Sequence, residues 1–436
     1  MPVFETPASP ASLSAIEAAQ AIKAGQLSSE NLVLACLEQI SRTDPTIHAW
    51  AFLDPGAALE QARMLDRHQA MGHSLGRLHG VPVGIKDIID TADMPTECGS
   101  PAFAGFQPTE DAEVVRNLKT AGAVIMGKTV TTEIAFLHPA ATRNPHNQDR
   151  TPGGSSSGSA AAVAAYQIPL ALGTQTNGSV IRPAAFCGVV GYKPTRGTIS
   201  RAGVLQTSQT LDQIGGFART VEDTGLLAAV VSGSALGTDR LGASPAIHDL
   251  KLAYLDMPFS NRLTEDSKRQ FERLLDTLGP SCTRIDAPAF IADLVVVQKV
   301  LHEYEINLHL GDVLRSKPGS ISRTLKPVLE RALQIDQQTY KQSFEAAASA
   351  DAAFEELFSG YDALITPSTT GPAPPAENGT GDPIFCSVWT VGGLPAITLP
   401  LLTSSDGMPL GVQIISAKGS DRHLVSCARS LMSTVI

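Results

Sequence analysis

A helical segment enclosed by two apolar runs, within residues 81–129, constrains the fold of this chain more than any other feature. Apolar residues alternate over 81–86, as in a β-strand, and Lys86 stands near the end of that run. Residues 111–122 have a helical pattern and residues 123–129 form a second apolar strand. A strand, a helix and a strand in this order favour an α/β fold, in which helices cover a sheet.

Similar patterns predict the other elements. The helices are expected over two segments within 12–42, the second ending at Pro45, and over 55–69, 261–358 in large part, and 421–433. Further strands are expected at 168–174, 362–368, 394–402 and 409–417. The charged region 261–358 is expected to wrap the core and to shape a substrate pocket.

The chain has 436 residues, which would allow two or three domains. It contains no internal repeat and no obvious linker, and 43% of its residues are hydrophobic. A chain of this size can bury a deep core, so a partly dry active site is possible. We therefore expect residues 1–436 to form one domain.

Composition argues against several classes of protein. The net charge is −10, without a run of cations, so the chain offers little counterion release and nucleic acid is not expected as a partner. The six cysteines lack the spacing of a zinc site, so no metal is expected. The first twelve residues lack the pattern of a secretory signal, and the most apolar stretch, 160–172, is too short for a membrane span. These features predict a cytoplasmic protein without a membrane partner.

Two loops rich in Gly, Ser and Thr carry candidate chemistry. Residues 151–160 precede an alanine-rich helix, whose free N–H groups at its start suit either simple capping or catalysis. Residues 154–158 also match the G-x-S-x-G elbow with Ser156 as nucleophile, but that elbow needs a buried strand before it. The preceding residues 147–152 are polar and end in proline, so the elbow is not expected.

The second loop, 173–179, does follow an apolar run. Asn177 and Gly178 tolerate unusual backbone angles, so a tight turn there can direct several N–H groups at one point beside Ser179. Such a turn can hold an oxyanion, and a plain loop with a surface serine fits the same residues.

A nucleophilic serine needs a base, and neither loop contains a histidine. Lys86 lies between Ile85 and a pair of isoleucines two and three residues further on, where desolvation would lower the pKa of its amine. Alternatively, Lys86 could extend towards solvent and pair with Asp87 or Asp90.

These segments together resemble the amidase signature family. GVPVGIKDIID, DAEVVRNLKTAGAVIMGKT, TPGGSSSGSAAAVAA and GSVIRPAAFCGVVGYKPTRG follow the family's usual order, and DALITPS and GLPAITLPLL resemble its C-terminal blocks. The resemblance spans roughly residues 10–430, with a specific signature core at 76–197. It implies one large domain with a mixed, twisted β-sheet covered by helices on both faces.

The resemblance also implies a Ser–Ser–Lys triad that needs no cofactor. In this triad Lys86 is the base, Ser155 relays the proton and Ser179 attacks the amide carbonyl. The oxyanion hole would consist of the backbone N–H groups of Thr176, Asn177, Gly178 and Ser179.

Three further residues, Gly154, Ser156 and Arg182, are expected to support this site. The chain departs from the family pattern at Gln175, where an acidic residue is common. Arg182 lies three residues after Ser179, where many members have an arginine at two. Its role is open between support of the oxyanion loop and contact with the substrate.

The function expected from the resemblance is hydrolysis of a non-peptide carbon–nitrogen bond in a small linear amide, through an acyl-serine, by a possible homodimer. The alternative is the glutaminase (A) subunit of a tRNA-dependent amidotransferase, which delivers ammonia to partner subunits. That alternative calls for a carboxylate-binding arginine in the C-terminal half, and the sequence does not single one out.

Overall fold

The strands of this computed structural model, which describes residues 9–233, 236–238 and 242–435, form one mixed sheet. The strands are β1 (Trp50–Leu53), β2 (Pro82–Lys86), β3 (Val124–Thr129), β4 (Leu170–Gln175), β5 (Val190–Lys193), β6 (Gln213–Ala218), β7 (Leu252–Asp256), β8 (Cys282–Asp286), β9 (Ala363–Pro367), β10 (Ala396–Thr403) and β11 (Pro409–Ile415). The predicted lack of a secretory signal concerns a segment whose first eight residues lie outside the described part.

The sheet has the order β1-β3-β2-β4-β6-β5-β10-β11-β9-β7-β8. Strand β2 lies between β3 and β4 and is parallel to both, as the strand–helix–strand pattern predicts. Strand β7 is likewise parallel to both its neighbours, whereas the pairs from β4 across to β9 are antiparallel. The expected mixed sheet is therefore confirmed.

The helices are α1 (Ala15–Lys23), α2 (Ser29–Ile47), α3 (Pro55–Ala70), α4 (Glu113–Thr120), α5 (Ser157–Ala164), α6 (Ile181–Cys187), α7 (Val221–Val231), α8 (Glu265–Leu278), α9 (Phe290–Ser316), α10 (Lys326–Ala332), α11 (Gln337–Phe358), α12 (Ile384–Val391) and α13 (Asp421–Val435). Within the described ranges, every helix is too short or too polar to cross a bilayer.

Helices cover both faces of the sheet. Along β7, Leu252 and Tyr254 belong to a core cluster that also contains residues of α7, α8 and α13. Ala253 and Leu255, which point the other way, belong to a cluster with residues of α9, α11 and α12. The predicted covering on both faces is confirmed.

One sequence-based expectation needs correction. Helix α2 does not end at Pro45 but continues to Ile47, and His48 terminates it in the left-handed region at φ 55°. Pro45 lacks an N–H donor, but the last turn still closes because His48 N donates to the Asp44 carbonyl at 2.9 Å. The region 261–358 is helical in large part, as expected, and it also contains β8, which the sequence did not predict and which forms the edge of the sheet beside β7.

The sequence also left open whether Phe385 and Trp389 line a pocket or fill the core. Both side chains are fully buried on α12 and belong to the core cluster beneath α9 and α11. The Trp389 ring lies 6.1 Å from that of Phe354. A packing role therefore accounts for both residues.

Truncation of Trp389 tests this packing. We expect Trp389→Ala to lower the free energy of unfolding by about 3–5 kcal/mol, because it removes a large buried ring that the core cannot refill. Chemical denaturation followed by circular dichroism measures the change. The matched control is Phe344→Ala, on the exposed side of α11, for which a change of only about 0.5 kcal/mol is expected. Equal effects of the two substitutions would contradict this account of the core.

Candidate active site

Lys86 ends β2, in the half of the sheet where two parallel strands flank it. Its side chain has no exposed surface. The Nζ atom donates hydrogen bonds to Ser155 Oγ at 2.8 Å and to Thr174 Oγ1 at 2.7 Å. Burial lowers the pKa of Lys86 to about 7, against the opposing influence of the Asp212 carboxylate. An amine with this pKa is substantially uncharged at neutral pH and can accept a proton.

The alternative in which Lys86 pairs with Asp87 or Asp90 is wrong. Asp87 Oδ1 lies 3.6 Å from Nζ of Lys128, a second buried lysine on β3. Lys128 also donates to Thr96 Oγ1 at 2.6 Å. The carboxylate next to Lys86 in the sequence is therefore engaged elsewhere, and the hydrogen bonds of Nζ go to hydroxyl groups.

Ser155 lies in the loop that precedes α5 and is almost completely buried. Its backbone carbonyl accepts a hydrogen bond from Thr132 N at 3.1 Å, and the Gly154–Ser155 peptide bond is cis. A Cβ on Gly154 would lie 2.9 Å from the methyl groups of Thr132 and Thr380, so only glycine fits without displacement of these side chains. The structure thus brings Ser155 directly to Lys86.

Ser156 fixes the position of this loop. Its Oγ donates to the Thr174 carbonyl and accepts from the Thr174 N–H, both at 3.3 Å, which ties the loop to β4. No strand lies at 147–152, so the sequence condition for a nucleophile elbow at Ser156 is not met. The expected supporting role of Ser156 is consistent with these contacts.

Ser179 follows β4 and lines a cavity, with 7% of its surface exposed. Within the described residues, no hydrogen bond joins its hydroxyl to Ser155 or Lys86. The structure therefore joins Lys86 and Ser155 directly and places Ser179 at the cavity surface.

The turn before Ser179 is held by several hydrogen bonds. Gln175 Oε1 accepts from the backbone N–H groups of Val180 and Ile181 at 2.8 and 3.0 Å. Its Nε2 donates to Thr390 Oγ1, which in turn donates to the Asn177 carbonyl at 2.6 Å. An amide side chain, with an acceptor and a donor at its two ends, fits this position where an acidic residue would lack the donor.

The backbone N–H groups of Asn177, Gly178 and Ser179 have no acceptor among the described residues. Neither Asn177 nor Gly178 has a positive φ, so the expected reliance on unusual backbone angles is wrong. Glycine suits position 178 for space instead, because a Cβ there would lie 3.0 Å from Pro383 and 3.2 Å from Cys386 and would push against these neighbours. The start of α12 thus packs closely against the turn.

Thr176 and Arg182 complete the surroundings of the turn. Thr176 Oγ1 donates to the buried Asp212 carboxylate at 2.6 Å. Arg182 is 3% exposed and lines the same cavity as Ser179. Its Nη2 donates to the Gly154 carbonyl at 2.8 Å and to Thr380 Oγ1 at 3.3 Å, so it supports the loop that carries Ser155.

The cavity beside Ser179 has a volume of about 380 Å³. Helix α9 contributes Gln298 and His302 to its lining, and α10 contributes Arg331. Gln298 Nε2 donates to the Thr176 carbonyl at 3.2 Å, so α9 also contacts the turn. Sequence reasoning missed Gln298 and His302, because their spacing of four places them on one face of a helix but does not show what that face borders. Across the described ranges, no cluster of three potential metal ligands occurs.

A family model described as Amidase matches residues 31–425. The A subunit of the glutamyl-tRNA(Gln) amidotransferase of Acidothermus cellulolyticus is 32% identical, over 96% of this chain and 93% of its own. The protein of the same name from Chloroflexus aurantiacus is 33% identical, over 92% of each chain. Since that name includes a tRNA, these relatives give no support to the expectation that nucleic acid plays no part.

Solved structures with the same fold include amidases and a hydrolase. An amidase is 28% identical with a TM-score of 0.87, covering 97% of this chain and 99% of its own. The 6-aminohexanoate cyclic dimer hydrolase is 27% identical with a TM-score of 0.84, over 97% of each chain. The peptide amidase of Stenotrophomonas maltophilia is 27% identical with a TM-score of 0.80, covering 97% and 96%.

The pKa of Lys86 can be measured directly. We expect the side-chain amine of Lys86 to titrate near pH 7 in NMR spectra of protein with isotope-labelled lysine, because burial disfavours the charged form. Lys193 is also buried with a pKa lowered to about 7, so the signal is assigned by its loss in Lys86→Met. Asp212→Asn should lower this pKa further, since it removes a carboxylate that stabilises the ammonium. A Lys86 signal that titrates near pH 10 would contradict the analysis.

Proposed function

This chain belongs to the amidase signature family, of carbon–nitrogen hydrolases and amidotransferases, and we propose that it hydrolyses a non-peptide amide of a small substrate through an acyl-serine. The observation that carries the proposal is the buried amine of Lys86, which bonds to the Ser155 hydroxyl at 2.8 Å and has its pKa lowered to about 7. The further proposal is that Ser155 and Ser179 complete this proton path.

The proposed reaction has two stages. Lys86 takes the proton of Ser155, Ser155 takes that of Ser179, and Ser179 Oγ forms a bond to the amide carbon. As the carbon–nitrogen bond breaks, the proton returns along the same path to the departing nitrogen. Water then attacks acyl-Ser179 in the same manner and releases the acid. All of these steps use protein groups and water.

We propose that the turn from Thr176 to Ser179 binds the oxyanion. The N–H groups of Asn177, Gly178 and Ser179 have no acceptor among the described residues and lie next to the nucleophile. Donors that are already oriented need no rearrangement when the tetrahedral intermediate forms, and the loss of one costs about 3 kcal/mol of transition-state stabilisation. Hydrogen bonds to Ser179 from the relay are expected to tighten only when the substrate is bound.

A second candidate function is the glutaminase subunit of a tRNA-dependent amidotransferase. The two amidotransferase subunits at 32% and 33% identity favour it, whereas the amidase and hydrolase structures favour the first candidate. The same acyl-serine chemistry serves both, because the glutaminase releases ammonia from the glutamine side chain. The difference lies in the substrate and in the need for partner subunits.

The isolated chain distinguishes the two candidates. It should turn over several simple amides without any added protein if it is a stand-alone amidase. A glutaminase subunit would hydrolyse glutamine slowly alone, and ammonia release would rise sharply with the partner subunits of an amidotransferase. Ammonia release from a panel of primary amides and glutamine, with and without those subunits, measures the difference.

Substitution of the three proposed catalytic residues tests the chemistry. Ser179→Ala should lower kcat by at least about 10⁴-fold, and Ser155→Ala and Lys86→Ala by at least about 100-fold, because each removes a step of the proton path. The control is Ser157→Ala, a buried hydroxyl in the same loop that donates to the Gly153 carbonyl. It should reduce turnover by less than about tenfold. Near-normal rates of the Lys86→Ala variant would exclude Lys86 as the base.

The pH profile follows from the lowered pKa of Lys86. Below about pH 7 the amine carries a proton and cannot act as a base, and above that pH it is free to accept one. We expect kcat/KM to rise with pH through an inflection near 7 and then to level off, in initial-rate measurements with a neutral amide. An inflection near 10, or a profile that falls over pH 6–8, would contradict the proposed base.

A further inference from the structure

The side chain of Asn177 is held at both ends by hydrogen bonds. Its Oδ1 accepts from Ser387 Oγ on α12 at 2.7 Å, and its Nδ2 donates to Gln298 Oε1 on α9 at 3.0 Å. Gln298 is itself fixed, because its Nε2 donates to the Thr176 carbonyl at 3.2 Å. An amide whose acceptor and donor ends are both engaged loses a hydrogen bond when it rotates. The Asn177 side chain therefore bridges α9 and α12 in one fixed orientation.

This bridge borders the cavity beside the proposed nucleophile. Asn177, Gln298 and Ser387 all line that cavity, as does Ser179. Gln298 and Ser387 are almost completely buried, whereas Asn177 is only partly buried. Asn177 is thus the member of the bridge that a bound molecule can contact.

The proposed proton path determines which part of a substrate meets the bridge. Ser155 returns a proton to the departing nitrogen, so that nitrogen has to face the Ser155 loop. Within the described part of the chain, the lining of the cavity includes Ser179 but neither Ser155 nor Lys86. The acyl group is therefore the part of the substrate that enters the cavity. Because the carbonyl oxygen binds the N–H of Asn177, the first carbon of the acyl chain lies next to the side chain of the same residue.

The bridge resists displacement by a bulky group. If the Asn177 amide turned away from the cavity, the buried Gln298 Oε1 would lose the hydrogen bond that it accepts from Asn177 Nδ2. A buried polar atom that loses its partner costs free energy, because no water replaces the bond. A branch on the carbon next to the scissile carbonyl would have to displace this amide.

The cavity as a whole has room for an unbranched chain. Its volume is about 380 Å³. Its lining includes the apolar side chains of Phe136, Leu137, Val295 and Ile384. A straight acyl chain can therefore pass the bridge and gain apolar contacts within the cavity.

We propose that Asn177 determines which acyl group this site accepts, because its bridged side chain excludes a branch at the carbon next to the scissile carbonyl and admits an unbranched chain. The inference rests on the proposed function and deepens it. It holds for either candidate, since the side chain of glutamine is unbranched at that carbon. Asn177 thereby acts on specificity through its side chain, in addition to the proposed oxyanion contact of its backbone N–H.

Pairs of isomeric amides test the proposal. We compare kcat/KM for butyramide and isobutyramide, for valeramide and 2-methylbutyramide, and for 3-phenylpropionamide and 2-phenylpropionamide. The members of a pair have the same composition and differ only in the position of the branch. The wild type should prefer the unbranched isomer by at least about tenfold in at least one pair, and Asn177→Gly should lower that preference by at least about fivefold. Comparing the variants cancels the difference in intrinsic reactivity between isomers.

Other variants separate specificity from a purely structural role. Asn177→Ala should act like Asn177→Gly, and Ser387→Ala, which removes one anchor of the amide, should lower the preference by about threefold. The matched control is Leu137→Ala, which enlarges the same cavity outside the bridge and should change the preference by less than about twofold. If the wild type has no preference, or if the Asn177 variants lose kcat/KM equally for both isomers, the proposal is overturned.

A binding measurement decides the case in which the wild type hydrolyses none of these amides. Dissociation constants of butyramide and isobutyramide are measured by ligand-observed NMR for Ser179→Ala and for Ser179→Ala/Asn177→Gly. Butyramide should bind the first protein at least about fivefold more tightly than its isomer, and the second protein should bind both about equally. With that result the acyl-serine function fails while the role of Asn177 stands. Equal binding of the isomers by Ser179→Ala, or no binding of either, would overturn both.

Discussion

The site depends on the burial of a single amine. Strand β2 is a central strand between β3 and β4, helices cover both faces of the sheet, and the Lys86 side chain has no exposed surface. An ammonium ion in such a place needs a carboxylate, and the adjacent Asp87 instead faces Lys128. The hydroxyl groups of Ser155 and Thr174 can satisfy an uncharged amine but cannot neutralise a charged one. The low pKa is thus a property of the sheet as much as of the residue.

The backbone N–H groups of the turn after β4 must lack an acceptor in the protein and yet be held in one position. Gln175 achieves this by accepting from Val180 and Ile181, beyond the turn, while Thr390 binds the Asn177 carbonyl. Helix α12 packs closely against the turn at Gly178, and α9 contacts it through the bond from Gln298 to the Thr176 carbonyl. Two distant parts of the chain, α9 and α12, therefore help to fix the shape of a four-residue segment, which explains why the proposed catalytic centre requires the whole fold.

Much of this arrangement could be predicted from sequence, and the rest could not for identifiable reasons. The apolar run before Lys86 predicted the strand but left the burial of the amine open, and the family resemblance pointed to Lys86, Ser155 and Ser179. Strand β6 was missed because QIGGFA contains two glycines, which are poor strand formers whose role here is to admit Val180 and Leu227 on opposite faces. His302 was missed because no local pattern tells which face of a 27-residue helix borders a cavity formed by segments far away in the chain.

The lining of the cavity has two origins with different freedom to change. Asn177 and Ser179 come from the turn that follows β4, next to the sheet, whereas Gln298, His302 and Arg331 come from α9 and α10, which lie outside the sheet. Mutations on α9 and α10 can therefore alter the size and polarity of the substrate that the cavity accepts, while the residues of the proposed proton path stay unchanged. This separation allows substrate preference to evolve, because substitutions on α9 and α10 can change which acyl group binds while the proton path is kept.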